Sequence, residues 1–377
     1  MLKRITAILC TLIMLVGCTT EEGKSLSRTL RKSLSRTFFM FDTVVSISLY
    51  GTDDEALMEE CRSYLEGFED VFSATRETSE LYRVNHTGYE DAAKSDKASG
   101  SNTGLRQVGD TEISVDLYTA ISRSLEWCEL TDGRFDITVR PVSQLYNFSV
   151  GEFVPPSKDA IEEGLSHVSY KNINVFENNG HYFLHRNEPG IMLDLGAVSK
   201  GYISDRLKEF MTGKGVKSAV IDLGGNIMCI GGKPGEDGEE ENFNIGVYNP
   251  LSAEDEGNGG SDEADGHANG SHVDESIVLK IKDMCVITSG VYQRSAERDG
   301  VLYHHILDAR TGLPAAGNVE SVSVVCKEGI MGDILSTSLF LLAEDGIKAK
   351  LPEGTGVIYL YKDGSREYGG IIEDMFR

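Results

Sequence analysis

Apolar positions at Leu57, Cys61, Tyr64, Leu65, Phe68, Val71 and Phe72 recur at helical spacing, which predicts an amphipathic helix over 54–72. Leu117, Tyr118, Ile121, Leu125 and Cys128 predict a second, ending near Thr131-Asp132-Gly133. Tyr202, Ile203, Leu207, Phe210 and Met211 mark a third, capped by Ser199, and Asp333 to Leu342 reads as a fourth. Phe38 to Leu49 is apolar and β-branched and reads as the first strand. Lys217–Leu223 is a strand running into Gly224-Gly225-Asn226, and further strands are expected at 277–281 and 284–288. Ser321–Val325 alternates as a half-buried strand, and Val357–Tyr361 is read as the last strand. Residues 87–109 are polar and Gly-rich and read as a loop. Strands and helices mix without a steady βαβ rhythm, so the expected class is α+β rather than a doubly wound sheet.

Composition sharpens this picture at the ends and in one insertion. The chain has 377 residues, 40% hydrophobic and 25% charged, enough for one large or two modest cores. Lys3 and Arg4 precede an apolar run from Ile5 to Val16 that is short for a spanning helix, and Leu15-Val16-Gly17-Cys18 resembles a lipobox. Residues 1–18 are therefore expected to be a lipoprotein signal with Cys18 as the lipidated residue. The protein would then be lipid-anchored to the cell membrane on its extracytoplasmic face. Residues 19–37 are polar and basic and read as a tether, followed by one domain over 38–377. Residues 251–276 are acidic, Gly-rich and almost without apolar content, which predicts a disordered insertion. The net charge of -24 argues against nucleic acid as a partner. Beyond Cys10 and Cys18, five widely spaced cysteines form neither a disulfide framework nor a zinc site and read as buried thiols.

Three stretches carry candidate chemistry. In "MLDLGAVSKGYISD", Leu193-Asp194-Leu195 reads as a strand end, Gly196 as a turn and Ser199 as a helix start. Free N–H groups there favour an anion, and Lys200 in a first turn opposes the helix dipole unless an anion is also present. By itself the junction is equally an ordinary one with a solvent-facing lysine. In "MGDILSTSLFLL", Asp333 and Thr337 lie four apart, so both oxygens share one helix face. A carboxylate and a hydroxyl there suit a hard cation such as Mg²⁺, although such a pair alone is more often a helix cap. In "YHHILDARTGLPA", His305 beside a turn is a candidate general base, or a structural histidine. "DGRFDITVRPV" places Asp132, Gly133 and Asp136 at a turn into an extended segment, and Ser289 and Gly290 end a strand in "ITSGVY". No nucleophile elbow is present, which argues against a Ser/His/Asp hydrolase.

In order, "MFDTVVSISLYG", "TDGRFDITVRPV", "LDLGAVSKGYISD", "VIDLGGNI", "TSGVY", "YHHILDARTG" and "GDILSTSLF" resemble the ApbE family of FAD:protein FMN transferases, over about 38–343. The resemblance implies mixed sheets packed with helices and an active site in a cleft between sub-domains. It implies FAD as substrate, Mg²⁺ as cofactor, and transfer of FMN to a Thr or Ser hydroxyl of an extracytoplasmic acceptor protein, with release of AMP. Ala197 would give Mg²⁺ a backbone carbonyl, and Asp333 and Thr337 their side chains. Met40, Arg134, Phe135, Asp136, Asp194, Lys200, Leu307 and Ser336 would line the FAD site. His305 and Lys200 would be catalytic. Some relatives appear as FAD pyrophosphatases giving FMN and AMP, and a non-catalytic flavin-binding lipoprotein is the other alternative. The chain departs from the family pattern in three places. Phe41-Asp42 separates Met40 from Thr43, where the family usually has Met-Gly-Thr. Thr75 stands where relatives often carry an aromatic residue, and Asp308-Ala309-Arg310-Thr311-Gly312 replaces an Asp-Pro-x-Thr-Gly form.

Overall fold

A computed structural model describes residues 32–86, 108–148, 153–235, 239–253, 273–343 and 351–375. The expected signal, most of the expected tether and residues 254–272 of the expected insertion lie outside the described residues. The central element is an eight-stranded sheet whose strands follow one another in chain order: β1 Ser33–Met40, β2 Thr43–Tyr50, β3 Ala219–Leu223, β4 Asn226–Ile230, β5 Cys285–Gly290, β6 Val319–Cys326, β7 Gly356–Tyr361 and β8 Arg366–Gly370. Every neighbouring pair is antiparallel. The helices and smaller sheets are inserted in the connections of this meander.

The first predicted strand is two strands. Phe41 and Asp42, both at φ 55, form a two-residue turn, and β1 pairs with β2 from Met40↔Thr43 to Ser33↔Tyr50. Left-handed backbone at both central positions is what a tight hairpin with native twist requires. The strand also takes in residues 33–37 of the expected tether. Gly224 and Gly225, at φ 63 and 92, make the matching turn between β3 and β4. The two turns pack together, since a Cβ on Gly224 would stand 2.2 Å from the Thr43 hydroxyl.

Between β2 and β3 run α1 (Glu55–Phe72), α2 (Glu80–His86), α3 (Val115–Leu130), α4 (Arg140–Ser143), α5 (Lys158–Leu165) and α6 (Ser199–Gly213). A three-stranded sheet of 109–113, 181–186 and 173–178 accompanies them. Asp54 and Ser114 cap α1 and α3 by accepting from Leu57 N and Leu117 N. Between β6 and β7 lies α7 (Gly329–Ala343), almost wholly apolar and buried. It begins four residues before Asp333, so Asp333 sits in its second turn and does not cap it. The segment after Asp136 turns into α4 instead of extending, and Met192 makes a single parallel bridge to Val139 where a strand end was expected.

The middle strands of the sheet are buried on both faces. Met228, Cys285, Ile287, Val322, Val324, Val357 and Tyr359 face the main core with α6 and α7. Cys229, Val286, Val325 and Ile358 face a second core, covered by a hairpin of 243–248 and 273–281. This explains β6: it alternates in sequence, yet all eight of its residues are buried. The hairpin also takes residues 273–276 into a strand, correcting the end of the expected insertion. Val357–Tyr361 is not the last strand, since β8 follows it. A small third core of Val142, Tyr146, Phe153 and Leu307 stands apart from the other two.

Candidate active site

Two glycines decide where the site forms. Helices α6 and α7 cross so closely that a Cβ on Gly201 would lie 2.1 Å from the Gly329 carbonyl oxygen. A Cβ on Gly329 would meet the Ser204 hydroxyl at 2.3 Å and the Gly201 oxygen at 2.5 Å. Only residues without a side chain permit this approach. It sets the first turn of α6 against the second turn of α7, and Gly201 N donates to Asp333 Oδ2 at 2.8 Å. The residue before α6 is Val198, with no side-chain cap, so the expected Ser199 cap is not made. The unpaired N–H of the α6 start is instead served by a carboxylate from another helix.

Asp333 is buried, and its Oδ1 accepts from Asn226 Nδ2 at 2.8 Å. Next to it stands a hydroxyl cluster: Ser289 Oγ lies 2.8 Å from Ser336 Oγ and 3.0 Å from Thr337 Oγ1. Ser336 is fully buried and also donates to the Asp333 carbonyl at 3.0 Å, so its hydroxyl belongs to the packing of α7. Each Asp333 oxygen holds one donor and keeps a further lone pair. With Thr337, and with Ala197 just ahead of α6, the junction offers oxygen donors only. No group of three or more His, Cys, Asp or Glu that could hold a metal occurs among the described residues. That donor set excludes a soft thiolate or imidazole site. It fits Mg²⁺, which commonly uses one or two carboxylates and fills its sphere with water and phosphate.

Lys200 is half-buried in the first turn of α6 and makes no ion pair among the described residues. Its charge reaches His305. Burial first, and the Lys200 charge second, push the His305 imidazole down to about 4. His305 is therefore neutral at pH 7. Its Nδ1 lies 3.3 Å from the Arg294 carbonyl oxygen, and its N–H donates to the same oxygen at 3.1 Å. A carbonyl can only accept, so Nδ1 carries the proton and Nε2 keeps the free lone pair. The neighbouring His304 points into the protein. Its Nε2 lies 3.1 Å from the Ala315 carbonyl, and burial lowers it to about 4 as well.

The remaining expected residues divide into two groups. Asp194 stays half-buried, with Oδ1 accepting from Gly196 N at 3.0 Å and Oδ2 from Ser143 Oγ at 2.5 Å; Arg140 Nη1 stands 3.7 Å from Oδ2. The other residues are tucked in. Arg134 Nη1 binds Asp308 Oδ2 at 3.0 Å, both side chains buried, and fastens the 134–136 turn to the 307–312 segment. Both oxygens of Asp136 are engaged: Oδ1 with Thr138 N and Oγ1 at 2.8 and 2.7 Å, Oδ2 with Tyr170 N at 2.8 Å. Burial pushes its carboxyl up despite those bonds. Phe135 and Leu307 are buried in the main and the third core. Met40, also buried, borders a groove of about 500 Å³ with Glu69, Asp70 and Arg76. Sequence reasoning missed Asn226 as a partner of Asp333, Arg140 and Ser143 as partners of Asp194, and Asn85, which pairs with both backbone groups of Leu193 at 2.7 and 2.8 Å. The only sequence signal was a lone amide directly after Gly224-Gly225.

The ApbE family profile matches residues 41–358. The chain belongs to the ApbE family. A curated relative, the FAD:protein FMN transferase of Treponema pallidum (strain Nichols), is 28% identical, covering 91% of this chain and 88% of that protein. The solved ApbE protein of Thermotoga maritima superposes with a TM-score of 0.70 at 25% identity, over 92% of this chain and 100% of that one. The flavin transferase ApbE from Vibrio cholerae superposes at 0.68 and 22% identity, over 91% and 99%, which shows the shared fold. The α+β expectation and the family resemblance both hold.

Proposed function

We propose that this ApbE-family enzyme is an FAD:protein FMN transferase. The observation that carries the reading is the meeting of three distant segments: Lys200 at the start of α6, the Asp333/Thr337 oxygens on α7, and a neutral His305 within reach of the Lys200 charge. A Thr or Ser hydroxyl of the acceptor protein attacks the FMN phosphorus of bound FAD. The new P–O bond forms as the bond to AMP breaks, giving a phosphoester-linked flavin and free AMP. Nε2 of His305 takes the hydroxyl proton. Lys200 places a positive charge where the pyrophosphate is expected, and phosphoryl transfer depends chiefly on such charge placement and alignment. Mg²⁺, held by Asp333, Thr337 and the Ala197 carbonyl, would neutralise pyrophosphate charge. Asp194, Arg134 and Asp136 shape the FAD side of the site, the last two by holding its turns.

The lipobox at Cys18 supports a lipid-anchored enzyme facing outward, acting on extracytoplasmic acceptors with a Ser/Thr flavinylation motif. Cys18→Ala should move the protein from the membrane to the soluble fraction, and retention in the membrane would refute the anchor. Activity is tested by incubating the protein with FAD, Mg²⁺ and a candidate acceptor domain, then viewing flavin fluorescence on a denaturing gel. A fluorescent acceptor supports transfer. FMN and AMP without labelled acceptor would make the enzyme a pyrophosphatase, and unchanged FAD would make it a binding protein. His305→Ala should leave FAD binding nearly intact and slow transfer by about 10²–10⁴-fold, the usual contribution of a general base. Unchanged transfer would remove His305 from that role.

A further inference from the structure

Helix α7 has its own unpaired N–H groups at its start, and α6 supplies the acceptor. Asp205, one turn beyond Gly201, accepts from Gly329 N through Oδ1 at 2.6 Å and from Ile330 N through Oδ2 at 2.9 Å. In the other direction, Asp333 of α7 accepts from Gly201 N of α6 at 2.8 Å. Each helix therefore caps the other with one carboxylate, across the Gly201–Gly329 crossing. Neither start is capped from its own sequence: Val198 precedes α6 without a side-chain bond, and Glu328, preceding α7, points outward to Arg123 at 2.5 Å.

We infer that Asp205 is a positioning residue whose two-pronged bond to α7 fixes the register of α7 on α6, and so the placement of Asp333 and Thr337 relative to Lys200. The inference rests on the reading of this junction as the FAD site. A single bond would leave α7 free to pivot about one contact; two bonds from one planar carboxylate to successive N–H groups fix direction as well as distance. The glycine contact limits how near the helices come, and a slide of α7 along α6 would break both Asp205 bonds. The Asp205 bonds resist that slide, and the Asp333–Gly201 bond depends on the same register. Burial pushes the Asp205 carboxyl up to about 6 against its two backbone bonds, so it is ionised at neutral pH. Asp205 touches no expected substrate-binding residue and acts only through α7.

The test compares amide-resolved hydrogen exchange in the ligand-free full-length chain, as wild type, Asp205→Ala, Asp205→Asn and Leu342→Ala. The last truncates a buried side chain at the far end of α7 and serves as a stability control. In Asp205→Ala, Gly329 and Ile330 should exchange faster. Gly201, which Asp205 does not touch, should also exchange about tenfold faster, the size expected for loss of a charge-assisted bond. Asp205→Asn, with one accepting oxygen left, should fall between. A Gly201 amide still protected in Asp205→Ala would overturn the inference, as would equal deprotection in Leu342→Ala. If Asp205→Ala does not fold, the comparison is read on Asp205→Asn. In FAD-binding titrations, the Mg²⁺ concentration at half-saturation should rise about tenfold in Asp205→Ala, with FAD affinity in excess Mg²⁺ within threefold of wild type. An unchanged Mg²⁺ requirement would overturn the inference. Wild type that binds no FAD would refute the functional reading, while the exchange data would still decide the role of Asp205.

Discussion

At the scale of single residues, Lys200 and His305 form a charge-coupled pair. Removing the Lys200 charge should raise the His305 pKa from about 4 part of the way towards the ordinary 6.5, because the largest depressing cause after burial is gone. Proton NMR of the imidazole in Lys200→Met would show it, and an unmoved titration would refute the coupling. FAD binding should weaken in the same variant. With wild type, kcat/KM should fall in two steps towards acid pH, the first as Asp205 protonates near 6 and the second as His305 protonates near 4, since the free enzyme needs a neutral base. His304 adds a stability effect of known sign. Its folded pKa, about 4, lies below the unfolded 6.5, so its contribution is full above 6.5 and is lost as pH falls through 4. The unfolding free energy from urea titration should therefore drop between pH 7 and 4.5, by about 2 kcal/mol from this group, and less in His304→Gln. Both histidines stand next to each other in sequence. Only the packing shows that one faces inward and the other keeps a free Nε2.

At the scale of elements, the site depends on two helices touching at backbone distance. Gly201→Ala places a methyl 2.1 Å from the Gly329 oxygen and 2.9 Å from Asp333 Cβ. The helices must separate, which should cost about 1–3 kcal/mol and weaken Mg²⁺-dependent FAD binding more than stability alone predicts. Thermal unfolding and FAD titration together check this; normal FAD binding would show that the crossing distance does not matter to the site. The two hairpin turns are a second pair of coupled elements. Asp42→Val forces a β-branched residue to φ 55 and should destabilise by about 1–2 kcal/mol, read as a lower denaturant midpoint. Helices α1 and α3 were legible in sequence because apolar spacing and side-chain caps agree. Helix α7 was misread at its start. Its cap is Asp205, far away in sequence, so no local signal marks the first turn, and Asp333 looked like the cap it is not.

At the scale of the molecule, an antiparallel meander in chain order carries everything else in its connections. The hairpin of 243–248 and 273–281 pairs Tyr248 with Val273, so the chain between them begins and ends at neighbouring positions. Replacing 254–272 with a short Gly/Asn turn should leave FAD binding and the unfolding midpoint nearly unchanged; a collapse of either would give the acidic segment a structural role. The same excision removes acidic residues from a chain of net charge -24, so any change in FAD on-rate should shrink with added salt. The third core holds Leu307, next in sequence to Asp308, which the buried Arg134 pair fastens to the 134–136 turn.

The sequence by itself determined the class of the fold, the family, and the residues around which chemistry is possible, because periodicity, caps and ordered motifs are local properties of a chain. It also placed Lys200, His305 and the Asp333/Thr337 pair as candidates, each with a bland alternative. Only the tertiary structure decided how those side chains are held and which segments they meet. A lysine without an ion pair among the described residues, a histidine whose tautomer is set by the Arg294 carbonyl, and a carboxylate shared between Gly201 and Asn226 are relations between segments up to 132 residues apart. Such relations come from which backbones can approach, and here two glycines permit an approach that no pattern along the chain records.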